Sequence, residues 1–164
     1  MSVSIAALLT ALYDAEVEFL IVGGYGAWLQ GSRIITSDLD VCYRRSNQNI
    51  SRLVKALQPL HPKLRGAEDI RFLLDERTIS QGMNFTLLTD FGDLDLLGQL
   101  AGVGGFDEMI TKAKETEVNG MRIKLASLED IIASKRAAGR DKDKFALPEL
   151  EGVLRAQKEK EKPR

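Results

Sequence analysis

The sequence predicts an α/β (α+β) fold, with a small, mixed and twisted sheet, helices mainly on one side, and a C-terminal helical element that closes a cleft. Three observations support this prediction. An apolar run of strand length at 19–22 is followed by two glycines, a short segment of helix formers, and an alternating strand from residue 38. Strand-like stretches at 84–89 and 94–98 flank a turn and predict a hairpin. Apolar residues at helical spacing, as in residues 2–13, predict amphipathic helices around these strands.

Length and composition are those of an ordinary globular domain. The 164 residues are 44% hydrophobic and 29% charged, which suits one domain with a sizeable core. We expect a single domain at residues 1–155 and a charged, disordered tail at residues 156–164. The net charge of −1 excludes a global basic field for nucleic acid, although it leaves room for a local basic patch.

The sequence also carries indications of its compartment. No apolar run approaches the length that spans a membrane, and the N-terminal segment lacks the basic region of a signal peptide. The single cysteine, Cys42, excludes an internal disulfide framework and is expected to be a small buried residue. We therefore expect a cytoplasmic protein that does not interact with membranes.

In the N-terminal half, the predicted elements follow one another closely. Residues 2–13 form a serine-capped helix, and residues 16–22 form the first strand. Residues 25–30 form a second helix that carries Trp28, the only tryptophan. We favour a core position for Trp28, with a wall for a nucleobase as the alternative. Residues 47–60 form a third helix.

In the C-terminal half, residues 65–80 are hardest to interpret, because residues 70–74 fit either a short strand or one helical turn. The single histidine, His61, lies between two prolines and is expected in a loop without a catalytic role. Further predicted elements are a helical turn within 75–80, a helix at 106–114, a hairpin at 116–125 turning at Asn119-Gly120, a helix at 128–138 capped by Ser127, and a last helix at 147–154 with Pro148 in its first turn.

The alternating strand carries two carboxylates, Asp38 and Asp40. Successive side chains on a strand point to opposite faces, so these two share one face. Adjacent carboxylates repel each other, and a divalent cation between them would remove that repulsion. Mg²⁺ (or Mn²⁺) prefers such oxygen ligands. The pair therefore predicts a metal site.

The two glycines after the first strand, Gly23 and Gly24, complement this pair. Glycine allows a sharp turn and a close approach of the backbone to a ligand. Backbone N–H groups at the start of the following helix suit a phosphate. A phosphate site beside a carboxylate pair indicates metal-assisted phosphoryl or nucleotidyl transfer.

The stretch Val-Gly-Gly-Tyr-Gly-Ala followed by Gly-Ser-Arg-Ile-Ile-Thr-Ser-Asp-Leu-Asp resembles the motif of the DNA polymerase β-like nucleotidyltransferase superfamily. It looks like the minimal branch that contains the AbiEii-type abortive-infection toxins. The resemblance covers about residues 15–150 and implies the nucleotidyltransferase fold.

A third carboxylate on a later strand is implied by the same resemblance. Asp95 supplies it in Gly-Asp-Leu-Asp-Leu-Leu, and Asp93 is the rival on the same face. Asp38, Asp40 and Asp95 would then be the catalytic metal ligands.

Basic residues near the site are implied by the string from Ser127 to Asp143, which also resembles the AbiEii-like branch. Lys135, the catalytic residue, and Lys142 would neutralise triphosphate charge, Arg140 would assist in binding the nucleotide, and Asp143 would position one of these basic residues. Many relatives have a further aspartate where this chain has Ala146, and its role is absent or moved, with Glu149 as the candidate. The loop residues Arg33, Thr36 and Ser37, with Gly23 and Gly24, complete the expected nucleotide-binding set.

The resemblance implies a two-metal nucleotidyltransferase that transfers an NMP from an NTP to a hydroxyl. Its acceptor is open: RNA such as a tRNA end, in a toxin–antitoxin pair with a cognate antitoxin, or a protein, or a small molecule such as an aminoglycoside or lincosamide. The alternatives are a non-catalytic nucleotide-binding or regulatory module and a toxin-partner scaffold of the same fold.

Overall fold

A computed structural model describes residues 4–163. Its helices are α1 (Ile5–Asp14), α2 (Gly23–Trp28), α3 (Asn47–Leu57), α4 (Glu76–Gln81), α5 (Phe106–Met109), α6 (Leu128–Ala138) and α7 (Asp141–Glu161). Its strands are β1 (Phe19–Val22), β2 (Leu39–Tyr43), β3 (Lys63–Leu64), β4 (Asn84–Thr89), β5 (Gly92–Leu97), β6 (Lys114–Val118) and β7 (Met121–Leu125). Single 3₁₀ turns follow α3 and α5.

The seven strands form one mixed sheet in the order β3-β4-β5-β2-β1-β7-β6. β2 pairs with β1 in antiparallel and with β5 in parallel orientation, and β1 pairs with β7 in parallel orientation. The two predicted hairpins, β4–β5 and β6–β7, are confirmed. The predicted α/β fold with a mixed sheet flanked by helices is therefore confirmed.

The helices cover both faces of this sheet, so the expectation of helices mainly on one side is wrong. Phe19 and Ile21 of β1 pack with α1 and α3, whereas Leu20 and Val22 pack with α5, α6 and α7. All four residues of β1 are buried. A strand with four consecutive apolar residues has two apolar faces and requires cover on both.

Most predicted elements are present with shifted boundaries. The first helix is capped by Ser4, whose Oγ accepts a hydrogen bond from the backbone N–H of Ala7, while Ser2 lies outside the described residues. The uncertain stretch 70–74 has neither strand nor helix, and α4 begins after Asp75, whose side chain caps it. The predicted Ser127 cap of α6 is confirmed.

The C-terminal helix differs from its prediction. It begins at Asp141 instead of residue 147, contains Pro148 in its interior, and continues through the expected tail to Glu161. Proline removes one helical hydrogen bond, but burial of Ala146 and Leu150 against α6 and its neighbours offsets that cost. Across residues 4–163 no helix combines the length and the apolar character needed to cross a membrane.

Candidate active site

The site begins where β1 ends. Gly23 has φ +64°, in the left-handed region that glycine adopts without strain. A Cβ atom on Gly23 would lie 2.0 Å from Oδ2 of Asp40, so the Asp40 carboxylate occupies the space that any side chain here would need. The first glycine of the predicted motif is therefore required for the backbone to approach this carboxylate.

The parallel pairing of β2 and β5 places Asp40 directly beside Asp95. The register thus brings the preferred third carboxylate next to Asp40, while Asp93 lies two residues earlier on the same strand. Burial, followed by the negative charges of Asp95 and Asp38, raises the pKa of Asp40 to about 7. Lys135 opposes this shift. A bound cation would relieve the repulsion that the charges of Asp95 and Asp38 exert on Asp40.

Arg65 is the partner of the third carboxylate in this structure. Its guanidinium lies 2.7 Å from Oδ1 of Asp95 and 3.2 Å from Oδ2 of Asp93, and it also donates to the carbonyl of Leu87 at 3.0 Å. Arg65 directly follows β3, which pairs with β4, and β4 in turn pairs with β5. The arginine side chain therefore reaches across β4 to the acids of β5. Asp93 and Asp95 are therefore held by one cation from the protein itself.

The three acids do not converge on a common point. Within residues 4–163 no group of three or more His, Cys, Asp or Glu side chains is arranged to hold a metal ion. Arg65 engages Asp95, while Asp38 accepts a hydrogen bond from the Ser37 hydroxyl. The donor chemistry nevertheless fits Mg²⁺, because carboxylate oxygens are the ligands that this cation prefers.

The opposite wall of the site is cationic. Arg140 pairs with Asp143 at 2.7 Å, and Nζ of Lys135 lies 3.7 Å from Oδ1 of Asp143. The Asp143 side chain is fully buried. Burial alone would raise its pKa, but hydrogen bonds and charge from Arg140, with the charge of Lys135, lower the pKa of Asp143 below its usual value. One buried carboxylate thus orders both basic residues.

Acids and bases line one cleft of about 180 Å³ between the sheet and the α6–α7 corner. Its charged lining residues are Asp40, Asp95, Lys135 and Arg140, beside Gly23. The two sides are complementary to a metal-bound polyphosphate, with oxygen ligands on one side and cations on the other.

The loop between α2 and β2 is held from α7. The carboxylate of Glu149 accepts from the Ser32 hydroxyl at 2.8 Å and from the Arg33 backbone N–H at 2.7 Å. At the other end of the loop, the Thr36 hydroxyl accepts from the backbone N–H of Asp38 at 3.2 Å. The loop that leads into the carboxylate pair is therefore anchored to α7 at its start, and a local hydrogen bond orders its end.

Not every predicted residue reaches the cleft. Asp38 and Ser37 contact each other but do not line the cavity, and Arg33 and Lys142 are exposed and do not line it either. Gly24 packs against Thr36, where a Cβ would come within 3.2 Å of the threonine Cβ. The helix α2 has only six residues and therefore little macrodipole, so phosphate binding by Gly23 and Gly24 stays a prediction.

Trp28 is not in the core, so the favoured interpretation of this residue is wrong. Its side chain is 49% exposed and stacks on Tyr25, with ring centroids 5.7 Å apart. The helix α2 turns its small residues Gly26 and Ala27 inward, and this leaves Trp28 on the outer face. Cys42, by contrast, is buried as expected, and burial raises the pKa of its thiol to about 12.

Two residues of the site were not found from the sequence. Arg65 lies in the stretch that was hardest to interpret, and its contact with Asp95 depends on a pairing between distant strands. The sequence indicates Glu149 only as a substitute for a missing aspartate, whereas in the structure its side chain anchors a loop more than a hundred positions away in the chain. No local sequence pattern identifies Arg65 as a residue of the site.

Comparisons with known families and structures concern the fold and the C-terminal part of the chain. Residues 92–162 match the sequence model of a family described as "Nucleotidyl transferase of unknown function (DUF2204)". The match covers less than half of the chain and includes Asp95, Lys135 and Arg140 but not Asp38 and Asp40. No curated protein matches the chain.

A solved structure is similar over nearly the whole length. The crystal structure of the lincosamide antibiotic adenylyltransferase LnuA with lincomycin bound superposes with a TM-score of 0.60 at 16% sequence identity. The alignment covers 93% of this chain and 99% of that one. The chain therefore has the nucleotidyltransferase fold, and its C-terminal part is similar to a nucleotidyl transferase family.

Proposed function

We propose that the protein is a cation-dependent nucleotidyltransferase, which transfers an NMP from an NTP to a hydroxyl acceptor and releases pyrophosphate. One observation carries the proposal. The acids Asp40 and Asp95 and the bases Lys135 and Arg140 line the same cleft, beside a glycine whose missing side chain makes room for Asp40. Acid ligands facing phosphate-binding cations are what phosphoryl-group transfer requires.

Each side chain has a role in this proposal. Asp38, Asp40 and Asp95 would hold one or two Mg²⁺ (or Mn²⁺) ions. When bound, such ions withdraw charge from phosphoryl oxygens and lower the pKa of the attacking hydroxyl. Lys135 and Arg140 donate hydrogen bonds to the triphosphate, and Asp143 keeps both of them oriented.

The acceptor is a separate question. The structurally similar LnuA is a lincosamide adenylyltransferase, which supports a small hydroxylated molecule as one acceptor class. The AbiEii-like branch, an RNA acceptor and a cognate antitoxin stay predictions that rest on the sequence resemblance alone.

Calorimetric titration with each NTP, in the presence and absence of Mg²⁺, tests the site. We expect Mg²⁺-dependent binding of at least one NTP, weakened roughly 100-fold or more by Asp40→Asn. The matched control is Asp69→Asn, which changes an exposed aspartate outside the cleft. NTP binding that is insensitive to both Mg²⁺ and Asp40→Asn would refute the proposed site.

Pyrophosphate release then separates an enzyme from a binding module. Wild-type protein with NTP, Mg²⁺ and a suitable hydroxyl acceptor should release pyrophosphate, and Lys135→Gln should slow the release about 10- to 100-fold. Lys144→Gln is the control, because Lys144 is exposed and lies outside the lining of the cleft. Equal rates for Lys135→Gln and Lys144→Gln would exclude the role assigned to Lys135.

A further inference from the structure

A second cavity lies beside the loop that leads to the carboxylate pair. It has a volume of about 340 Å³ and is lined by Tyr25, Trp28, Ile35 and Thr36. The rings of Tyr25 and Trp28 are stacked with an interplanar angle of 16°. Cavities of this size that combine apolar and aromatic walls with a few hydroxyl groups are typical small-molecule sites.

The exposed apolar side chains here are not explained by packing. Ile35 is 89% exposed and Trp28 is 49% exposed. Ile35 lies on the loop that Glu149 holds at its start and that the local bond between Thr36 and Asp38 orders at its end. A tethered loop that presents an isoleucine opposite a tryptophan forms a surface prepared for an apolar ligand.

This cavity is close to the candidate active site. Thr36 lines the cavity, packs against Gly24, and accepts a hydrogen bond from the backbone N–H of Asp38. Thr36 therefore links the cavity by direct contact to both Gly24 of the glycine motif and Asp38 of the carboxylate pair.

The cavity and the cationic cleft lie on different faces of α2. Gly26 faces α6, where a Cβ would come within 3.2 Å of Ile131, and α6 carries Lys135. Trp28, two residues further along the helix, lies about 160° around the helix axis from Gly26. The helix α2 thus separates the side that faces α6 from the side that carries the cavity.

We propose that this cavity binds the acceptor, a small, uncharged, hydroxyl-bearing compound with an apolar ring; this inference rests on the proposed nucleotidyl transfer. In an in-line displacement the attacking and leaving oxygens stand on opposite sides of phosphorus. Lys135 and Arg140 favour pyrophosphate on their side, so the acceptor approaches from the other side.

The transfer on this geometry is a balanced displacement. The acceptor oxygen forms a bond to the α-phosphorus, and the bond from that phosphorus to the bridging oxygen breaks. Pyrophosphate leaves with the electron pair of that bond, and the hydroxyl proton passes to solvent. Because no charged residue within 4–163 lines the cavity, it favours a neutral ring over the phosphate backbone of a polynucleotide.

Trp28 is the only tryptophan, so its fluorescence reports directly on the cavity. We would titrate the wild-type protein with phenyl β-D-glucoside, a neutral hydroxylated ring compound, and with a short single-stranded RNA that has a free 3′ hydroxyl. The glucoside should change Trp28 fluorescence saturably. Ile35→Ser should raise its Kd about five- to tenfold, because it removes apolar contact area. Ile70→Ser, at another exposed isoleucine outside the cavity, should leave Kd unchanged.

NTP binding, measured by calorimetry on the same variants, separates this inference from the proposed function. Ile35→Ser should bind NTP with Mg²⁺ as the wild type does. A fluorescence change with RNA alone, no change with either probe, or an effect of Ile35→Ser no larger than that of Ile70→Ser would overturn the inference while leaving NTP binding intact. Absence of NTP binding in the wild type would refute the proposed function, and with it the acceptor role of the cavity.

Discussion

At the scale of single residues, the charge of Asp40 lowers the stability of the cation-free protein, although the proposed function requires that charge. Asp40 is half-buried against Gly23 and lies next to Asp95, so its charged form is disfavoured and its pKa is raised to about 7. Folded protein therefore binds a proton here that the unfolded chain, with an ordinary aspartate pKa near ~4, releases. That contribution to stability is full below pH ~4 and is lost as the pH rises through about 7.

Asp40→Asn should therefore stabilise the cation-free protein while abolishing Mg²⁺-dependent NTP binding. We expect a gain of about 1–2 kcal/mol at pH 8 and a smaller gain at pH 5, where Asp40 is already protonated. Thermal unfolding in EDTA at the two pH values measures this difference. A destabilised variant at pH 8, or a gain that is larger at pH 5, would contradict the raised pKa of Asp40.

Arg65 competes with any cation for Asp95. Because its guanidinium lies 2.7 Å from the Asp95 carboxylate, removing its charge should tighten Mg²⁺ binding about five- to tenfold. The same change should cost about 1–2 kcal/mol in cation-free protein, since Asp95 and Asp93 lose their partner. Arg65→Ala measured by Mg²⁺ titration and thermal unfolding tests both effects.

The matched control for Arg65→Ala is Arg71→Ala, which removes an exposed arginine from the neighbouring loop. Weaker Mg²⁺ binding by Arg65→Ala would show that Arg65 orients Asp95 for the cation instead of competing with it. Identical behaviour of the two variants would show that the contact with Asp95 has no energetic effect.

At the scale of elements, the anchor between α7 and the loop of residues 32–37 links the C-terminal helix to the carboxylate strand. Glu149→Ala removes the acceptor of two hydrogen bonds and should open this loop more often. A loss of about 1–2 kcal/mol of local stability predicts cleavage by trypsin after the exposed Arg33 that is roughly five- to thirtyfold faster.

Glu159→Ala, an exposed change on the same helix, is the control for this proteolysis experiment. Identification of the cleavage site by mass spectrometry distinguishes loop opening from global unfolding, which would expose many sites together. Unchanged cleavage at Arg33 in Glu149→Ala would show that the loop is held by other contacts.

The elements also show what sequence could predict. The carboxylate strand, the β4–β5 hairpin and the capped helix α6 carry local patterns, and all were predicted within a few residues. The start of α7 was not, because Pro148 is typical of a first turn and only burial of Ala146 and Leu150 overrides that preference. The exposure of Trp28 likewise depends on which face of α2 meets the sheet, and α2 is too short to show that in its pattern.

At the scale of the whole molecule, the two sides of the cleft come from distant parts of the chain. The acids and Gly23 belong to the N-terminal sheet motif and β5, whereas Lys135 and Arg140 belong to α6 and the start of α7. Each set of residues could be predicted from its own sequence motif. That the two sets lie close together in the fold could be predicted only from the resemblance to a known superfamily. Arg65 was missed because neither motif contains it.

An NTP that contacts both the acidic and the cationic side of the cleft should raise the free energy of unfolding of the whole domain. At an NTP concentration ten times Kd, mass action adds about 1.4 kcal/mol to the free energy of unfolding. For a domain of this size that corresponds to a rise in Tm of roughly 3–5 °C.

The rise should require Mg²⁺, because without a cation the acids repel the triphosphate. Asp40→Asn should show no rise, although its own Tm without ligand is higher, and this opposite ordering of the two variants separates ligand binding from intrinsic stability. An equal rise with and without Mg²⁺ would place NTP on the cationic side alone and leave the acids without a role in binding.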